Sequence, residues 1–181
     1  MLLESPDVEI GWRAAGFDLA DGNGARFSYD QLMGESGLVV AFICNHCPYV
    51  KAIIDRWVED AKVLQKQDIG VVAVMSNDYS KVPGDSPEKM LEFAAQHGFT
   101  FPYLIDEDQS VAKAYGAVCT PEFFGINAAG ELQYRGRLDD AKMGDAAHRT
   151  PELLEAMRMI AGAGKGPAEQ HPSMGCSIKW S

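Results

Sequence analysis

Residues 38–48 read Leu-Val-Val-Ala-Phe-Ile-Cys-Asn-His-Cys-Pro, an apolar run that leads directly into two cysteines. Six consecutive apolar residues predict a central strand that is covered on both faces. After Cys47 the apolar side chains recur at helical spacing, and Pro48 suits a first helical turn because an N–H there would be unpaired. We therefore expect Cys44 and Cys47 at the junction between a buried strand and a helix N-terminus.

This location predicts redox chemistry at sulfur. Unpaired N–H groups and the helix dipole favour a thiolate, and a thiolate beside a second thiol forms a reversible two-electron pair. We expect Cys44 to lie nearer the helix start and to be the more acidic and exposed sulfur. Cys44 would attack a substrate disulfide, and Cys47 would then attack Cys44 and release the product. His46 either stabilises the Cys44 thiolate when protonated or is a solvated loop histidine.

The same Cys-x-x-Cys spacing also occurs as half of a four-cysteine zinc site. Such a site needs a second cysteine pair at similar spacing. Cys119 and Cys176 lie far apart in the sequence and have no close cysteine neighbours. The pattern therefore favours a redox pair, with no metal and no bound cofactor.

Composition bounds the remaining classes of function. The 181 residues, 46% of them hydrophobic, fit one globular domain. A net charge of −10 without a basic cluster disfavours nucleic acid and anionic membranes as partners. The N-terminus lacks the basic start and apolar stretch of a signal peptide, and no segment has the ~20 apolar residues of a membrane span. We expect a cytoplasmic protein.

Strand and helix patterns alternate along the chain and end in a hairpin. Asp21-Gly22-Asn23-Gly24 predicts a first hairpin, residues 70–75 a second buried strand, and Asn127-Ala128-Ala129-Gly130 a second hairpin. This order predicts an α/β fold with a central mixed sheet and helices on both faces. We expect one domain over residues 1–161. Residues 162–181 form a Gly-rich link and a tail, which should dock because it ends in Ile178 and Trp180.

Further motifs resemble the thioredoxin superfamily. Thr120-Pro121 precedes the second hairpin, as in that family. The resemblance implies a thioredoxin-like fold in which Pro121 is cis and packs against the Cys-x-x-Cys. It also implies that the backbone before Pro121 pairs with bound peptide. Residues 78–105 look like the strand-helix insertion of the branch related to alkyl hydroperoxide reductase and thiol-specific antioxidant (AhpC/TSA). Three motifs are similar to a peroxiredoxin-like group in that branch: Asn45 to Lys51, Arg135 to Asp140, and Gly175 to Trp180.

The chain departs from both family patterns. Peroxiredoxins carry a threonine three residues before the peroxide-reacting cysteine, whereas here Ala41 precedes Cys44, and Cys44 precedes Cys47, at that spacing. Thioredoxins carry a buried aspartate on the preceding strand, and here that strand is apolar. Another group or water must then take the proton from Cys47. A histidine before the second cysteine is similar to disulfide isomerases and oxidants, which implies a potential above thioredoxin's ~−270 mV.

Three residues have open roles. Cys119 should lie close to the active sulfurs if the resemblance holds, or it is a small buried hydrophobe. Cys176 is either a third, resolving thiol or an inert cysteine in a tail that serves as a packing clip. Arg137 either holds a thiolate or anionic substrate by a charge-assisted contact, or belongs to a solvated turn with local ion pairs.

Three hypotheses follow from these residues. The leading one is a thiol–disulfide oxidoreductase that uses Cys44 and Cys47, supported by Asn45, His46, Thr120 and Pro121. It would act on protein or small-molecule disulfides with a thiol reductant whose identity the sequence leaves open, as it does the oligomeric state. The second is a thiol peroxidase with antioxidant activity, acting through sulfenic acid at Cys44 or Cys47. The third is a copper or zinc carrier that adds a histidine such as His148.

Overall fold

The computed structural model describes residues 1–6 and 9–181. A 3-10 helix spans Pro83–Asp85. The other elements, numbered in chain order, are β1 (Leu2–Glu4), β2 (Asp18–Asp21), β3 (Arg26–Ser28), α1 (Tyr29–Leu32), β4 (Gly37–Phe42), α2 (Pro48–Lys66), β5 (Ile69–Met75), α3 (Pro87–His97), β6 (Tyr103–Ile105), α4 (Ser110–Tyr115), β7 (Cys119–Thr120), β8 (Glu122–Ile126), β9 (Leu132–Gly136), α5 (Glu152–Ala163) and β10 (Met174–Ser177).

The main sheet has mixed strand directions, as predicted. Its seven strands run in the order β3-β2-β6-β5-β4-β8-β9. The central strands β4, β5 and β6 are parallel, whereas the two predicted hairpins, β2–β3 and β8–β9, add antiparallel strands at the two edges. The carboxyl end of the central strand β4 therefore leads into the site, because Cys44 follows it by two residues.

The strand β4 separates two apolar cores. All six of its residues are buried, as expected for a strand that is covered on both faces. Val39 and Ala41 belong to the core that contains Trp57 of α2 and Leu153 of α5. Alternate residues of β4 face the opposite core, which includes Tyr115 of α4. The prediction of helices on both faces is confirmed.

The tail forms a strand of a second sheet. β10 lies between β1 and β7 and is antiparallel to both, and Ile178 beyond it is buried. One detail differs from the sequence expectation. Helix α5 continues to Ala163, so the predicted link does not begin at residue 162. At the start of the chain, residues 2–4 pair with β10.

None of the helices in the described part of the chain combines the length and the apolar character that crossing a membrane requires.

Candidate active site

Cys47, and not Cys44, is the cysteine at the start of helix α2. The helix begins at Pro48, and Cys47 is its N-cap residue. The expectation that Cys44 lies nearer the helix and is exposed was wrong: Cys44 is 1% exposed and Cys47 is 0% exposed. Pro48 carried a usable signal, because proline prefers the first helical position and so marks the preceding residue as the N-cap.

Thr120 contacts both sulfurs of the pair. Its hydroxyl oxygen lies 3.5 Å from Cys44 Sγ, and its carbonyl oxygen lies 3.5 Å from Cys47 Sγ. The peptide bond between Thr120 and Pro121 is cis. Cys44 and Cys47 are close enough that each shifts the pKa of the other. The structure thus brings together the four residues Cys44, Cys47, Thr120 and Pro121 that the sequence places about seventy positions apart.

A third sulfur reaches the same point from the tail. Cys176 pairs with Thr120 across β10 and β7, and residues directly opposite on neighbouring strands present their side chains to the same face of a sheet. Cys176 Sγ accordingly lies 2.8 Å from Cys47 Sγ. Of the three cysteines, only Cys176 is partly exposed.

The negative charge of this cluster is stabilised on Cys47. The hydrogen bond from Cys44 is the largest influence on its pKa, which falls to about 4 despite burial, with further help from Cys176 and the Val50 N–H. The pKa of Cys44 is raised well above its usual value by that same hydrogen bond, by burial and by the Asp85 carboxylate. Burial and the contact with Cys47 raise the pKa of Cys176 to about 11. The acidic sulfur is therefore Cys47.

A buried carboxylate lies on the other side of Cys44. Asp85 is 0% exposed, accepts hydrogen bonds from the Asn45 backbone N–H (2.8 Å) and from Asn77 Nδ2 (2.9 Å), and has Oδ2 2.7 Å from His46 Nδ1. Asn45 in turn donates to Gly84 O and accepts from the Tyr103 hydroxyl. Asn45 and His46 thus connect the cysteines to Asp85.

Sequence reasoning missed Asp85. Forty residues separate it from Asn45, and it lies in the 3-10 helix before α3, where an acidic residue looks like an ordinary part of a helix start. No spacing pattern links it to the cysteines. Only the packing of that turn against the loop after β4 does so.

Cys119 faces away from this cluster. It precedes Thr120 on a strand, where successive side chains point to opposite faces. Its Sγ lies 3.6 Å from Glu122 Oε2 and 4.0 Å from Ser173 O. Burial and the neighbouring Glu122 raise the pKa of Cys119 far above its usual value. Glu122 is itself fully buried and paired with Arg135 at 2.7 Å. The position matches the buried, unreactive alternative for Cys119.

Arg137 binds a carboxylate instead of a sulfur. Its guanidinium donates to both Glu152 carboxylate oxygens, which raises the Arg137 pKa. Arg137 also lines a cavity of about 240 Å³ that has Tyr49, Pro121 and Met174 in its wall. This cavity adjoins the cis-proline on the outer side of the site.

One group of potential metal ligands lies in the described ranges 1–6 and 9–181. Ligand atoms of Cys44, His46 and Asp85 lie within 4.8 Å of one another. Cys47 is not among them, and His148 is an exposed residue in the loop before α5. The set of two thiolates and His148 that a copper carrier would use is therefore not the set that the fold assembles.

The chain is similar to known proteins in sequence and in structure. The model of the AhpC/TSA family matches residues 10–135. The chain is 29% identical over 125 residues to the thiol-disulfide oxidoreductase ResA of Bacillus subtilis (strain 168). That match covers 69% of this chain and 65% of the relative, so the chain spans just under two thirds of the relative's length.

Solved structures share all or part of the fold. A crystal structure of an uncharacterized conserved protein from Geobacillus kaustophilus is 37% identical, with a TM-score of 0.93, and the match covers 100% of this chain and 97% of the other. A secreted disulfide oxidoreductase from Mycobacterium tuberculosis is 20% identical with a TM-score of 0.55, over 65% of this chain and 80% of the other, which shows a similar fold. The predicted thioredoxin-like fold is confirmed.

Proposed function

The chain belongs to the AhpC/TSA family, and we propose that it is a thiol–disulfide oxidoreductase whose reactive pair is Cys44 and Cys47. One observation carries the proposal. Cys47 is the N-cap of α2, Thr120 contacts both its sulfur and that of Cys44, and the pKa of Cys47 is lowered to about 4. The name of the relative ResA supports the same class of reaction. The substrates are protein or small-molecule disulfides, the electron donor is a thiol, and the compartment is the cytoplasm.

The two cysteines exchange the roles that the sequence suggested. Cys47 is 0% exposed, so a substrate disulfide must first open the site. The Cys47 thiolate then attacks one sulfur of that disulfide, which forms a mixed disulfide and expels a substrate thiolate. Cys44 then loses its proton and attacks Cys47 Sγ, so that the second substrate thiolate leaves and the Cys44–Cys47 disulfide forms. Two electrons pass from the protein to the substrate, and a thiol reductant returns them.

The proton of Cys44 needs an acceptor, because its pKa is raised. We assign this role to His46, which has a ring nitrogen within 4.8 Å of Cys44 Sγ and Nδ1 2.7 Å from Oδ2 of the buried Asp85. The Asp85 carboxylate orients the imidazole and stabilises the imidazolium that forms. A positioned histidine base contributes about 10²–10⁴-fold to such a step. His46 and Asp85 together thus take the place of the buried aspartate that thioredoxins carry on the preceding strand and that β4 lacks.

The test is disulfide reduction by the reduced protein with dithiothreitol as electron donor. Wild type is compared with Cys47→Ser, with Cys44→Ser/Cys176→Ser, which leaves no thiol beside Cys47, and with Cys119→Ser as a matched control, since Cys119 is equally buried but faces away from the site. We expect Cys47→Ser to lose turnover, Cys44→Ser/Cys176→Ser to accumulate a mixed disulfide at Cys47 when dithiothreitol is left out, and Cys119→Ser to remain active. Wild-type turnover in Cys47→Ser would refute the proposal.

The acidic Cys47 at a helix N-terminus also favours the peroxidase alternative. Its thiolate would be oxidised by a hydroperoxide to sulfenic acid, which would condense with Cys44 and release water. Against this, Thr120 does not supply the threonine hydroxyl that peroxiredoxins place near the peroxide-reacting cysteine. Its hydroxyl contacts Cys44, and only its carbonyl contacts Cys47. Stopped-flow consumption of peroxide separates the two functions, because a peroxidase should react with peroxide far faster than the thiolate of free cysteine does.

A further inference from the structure

Cys176 is held in place on both sides. Gly175 packs so closely on β7 that a Cβ there would lie 1.8 Å from Thr120 O. After the strand, Ile178 N–H donates to Val118 O at 3.1 Å, and Lys179 N–H donates to Asn77 Oδ1 at 2.8 Å. The contact between the Cys47 and Cys176 sulfurs is thus part of a paired strand and not a chance approach of a loose tail.

From this geometry we propose that Cys47 and Cys176 form a second reversible disulfide, and that external thiols exchange with the protein at Cys176 Sγ. Cys44, Cys47 and Cys176 then constitute a three-cysteine relay. The inference rests on the proposed oxidoreductase function and deepens it, because it says where an external reductant enters.

Exposure decides the point of entry. Cys44 and Cys47 are 1% and 0% exposed, whereas Cys176 is partly exposed, so a thiol from solvent reaches Cys176 first. A disulfide needs its sulfurs about 2.05 Å apart. The present 2.8 Å between Cys47 and Cys176 requires an approach of less than ~1 Å. The strand β10 can therefore stay paired while the bond forms.

The acidity of the two sulfurs fixes the direction of attack. A disulfide is cleaved faster when the leaving thiol is the more acidic one. Cys47, with a pKa lowered to about 4, is a far better leaving group than Cys176, whose pKa is raised to about 11. An external thiolate should attack Cys176 Sγ and expel Cys47, which agrees with the exposure.

The steps balance with a thiol as the reductant. In the Cys44–Cys47 disulfide left by turnover, the Cys176 thiolate attacks Cys47 Sγ and expels Cys44, which takes up a proton. An external thiolate then attacks Cys176 Sγ, the Cys47–Cys176 bond breaks, and a mixed disulfide on Cys176 forms together with the Cys47 thiolate. A second external thiolate attacks the mixed disulfide, releases the oxidised reductant, and leaves Cys176 to take up a proton. Two electrons enter the protein, and Cys47 is ready to attack its substrate.

Disulfide mapping tests the proposal directly. Reduced protein is oxidised with diamide, remaining thiols are alkylated, and tryptic peptides are analysed by mass spectrometry. Trypsin leaves Cys44 and Cys47 together in residues 27–51, Cys119 in residues 114–135 and Cys176 in residues 166–179. A Cys47–Cys176 bond therefore joins two peptides, whereas a Cys44–Cys47 bond closes a loop within one.

Single variants separate the proposal from the function on which it rests. After diamide treatment, Cys44→Ser should have one free thiol instead of three, and its peptide of residues 27–51 should be joined to that of residues 166–179. The variant Cys44→Ser/Cys176→Ser should keep both of its thiols. If Cys44→Ser keeps three thiols while Cys176→Ser closes Cys44–Cys47, the inference fails and the proposed function stands. If Cys176→Ser stays reduced while Cys44→Ser forms the joined peptides, the relay bond stands and the Cys44–Cys47 pair fails.

Trapping with glutathione tests the point of entry. Oxidised Cys44→Ser is treated briefly with glutathione and quenched with acid. We expect the glutathione adduct on Cys176, in residues 166–179. An adduct on Cys47 instead would show that solvent reaches the helix end first, and it would overturn entry at Cys176.

Discussion

Removing the Cys44 thiol should make Cys47 less acidic by a predictable amount. The hydrogen bond from Cys44 is the largest influence that lowers the Cys47 pKa to about 4. A hydrogen bond to a charged group contributes about 1.5–3 kcal/mol, and one pKa unit corresponds to about 1.4 kcal/mol. Cys44→Ala should therefore raise the pKa of Cys47 by about one to two units. Cys44→Ser keeps a hydroxyl donor and should raise it much less.

Thiolate absorbance in the far ultraviolet, measured on the reduced proteins as pH rises, gives the midpoint. Below about pH 9 the transition belongs to Cys47 alone, because the pKa values of Cys44, Cys119 and Cys176 are all raised. An unchanged midpoint in Cys44→Ala would show that Cys44 does not stabilise the thiolate. A wild-type midpoint at the value of free cysteine would remove the premise that Cys47 is acidic.

Three further predictions concern stability and charge. Because the Cys47 pKa is depressed in the folded protein, the stabilisation by its thiolate is complete above about pH 9 and is lost as pH falls towards about 4. In urea titrations, the unfolding free energy of reduced wild type relative to Cys47→Ser should therefore increase as pH rises between these values, by up to ~1.4 kcal/mol per pH unit. Arg135→Met leaves the buried Glu122 unpaired and should cost about 3–5 kcal/mol in urea unfolding, with much of the loss recovered in Glu122→Gln/Arg135→Met; equal losses would contradict this. Asp85→Asn removes a negative charge beside Cys44 and should lower the Cys44 pKa, visible as an earlier alkaline absorbance step, and no shift would argue against the contact.

The sequence was informative where a signal is local. The apolar run of β4 and the helical spacing in α2 predict a buried strand and an amphipathic helix, since the periodicity of the side chains reports directly on burial. The approach of Thr120 and Pro121 to the cysteines came from family resemblance, because no local pattern encodes a contact over that distance. Asp85 was invisible for the same reason.

The acidic cysteine was assigned wrongly because the helix start was placed one turn too early. Placing the helix start at Cys44 instead of Cys47 reversed nucleophile and resolving thiol, although Pro48 marks the N-cap. Helix boundaries are the least certain part of any interpretation from sequence. At a helix N-terminus such an error changes which thiol is predicted to ionise, because the dipole and the free N–H groups act within one turn.

The register of β10 decides whether the tail takes part in the chemistry. A shift by one residue would turn Cys176 to the opposite face and away from Cys47. Gly175 permits the observed register, because a side chain there would meet the backbone of Thr120 at 1.8 Å. Gly175→Ala must therefore move β10 away from β7.

We expect Gly175→Ala, in the Cys44→Ser background, to lose most of the peptide linkage between Cys47 and Cys176 after diamide treatment. Gly162→Ala is the matched control, because that exposed glycine in α5 has no atom within 4 Å of its added Cβ and should gain helix stability without changing the linkage. An undiminished linkage in Gly175→Ala would mean that a mobile tail supplies Cys176 by collision. Loss in the Gly175 variant alone would show that strand pairing, and not collision of a mobile tail, makes Cys176 a redox partner of Cys47.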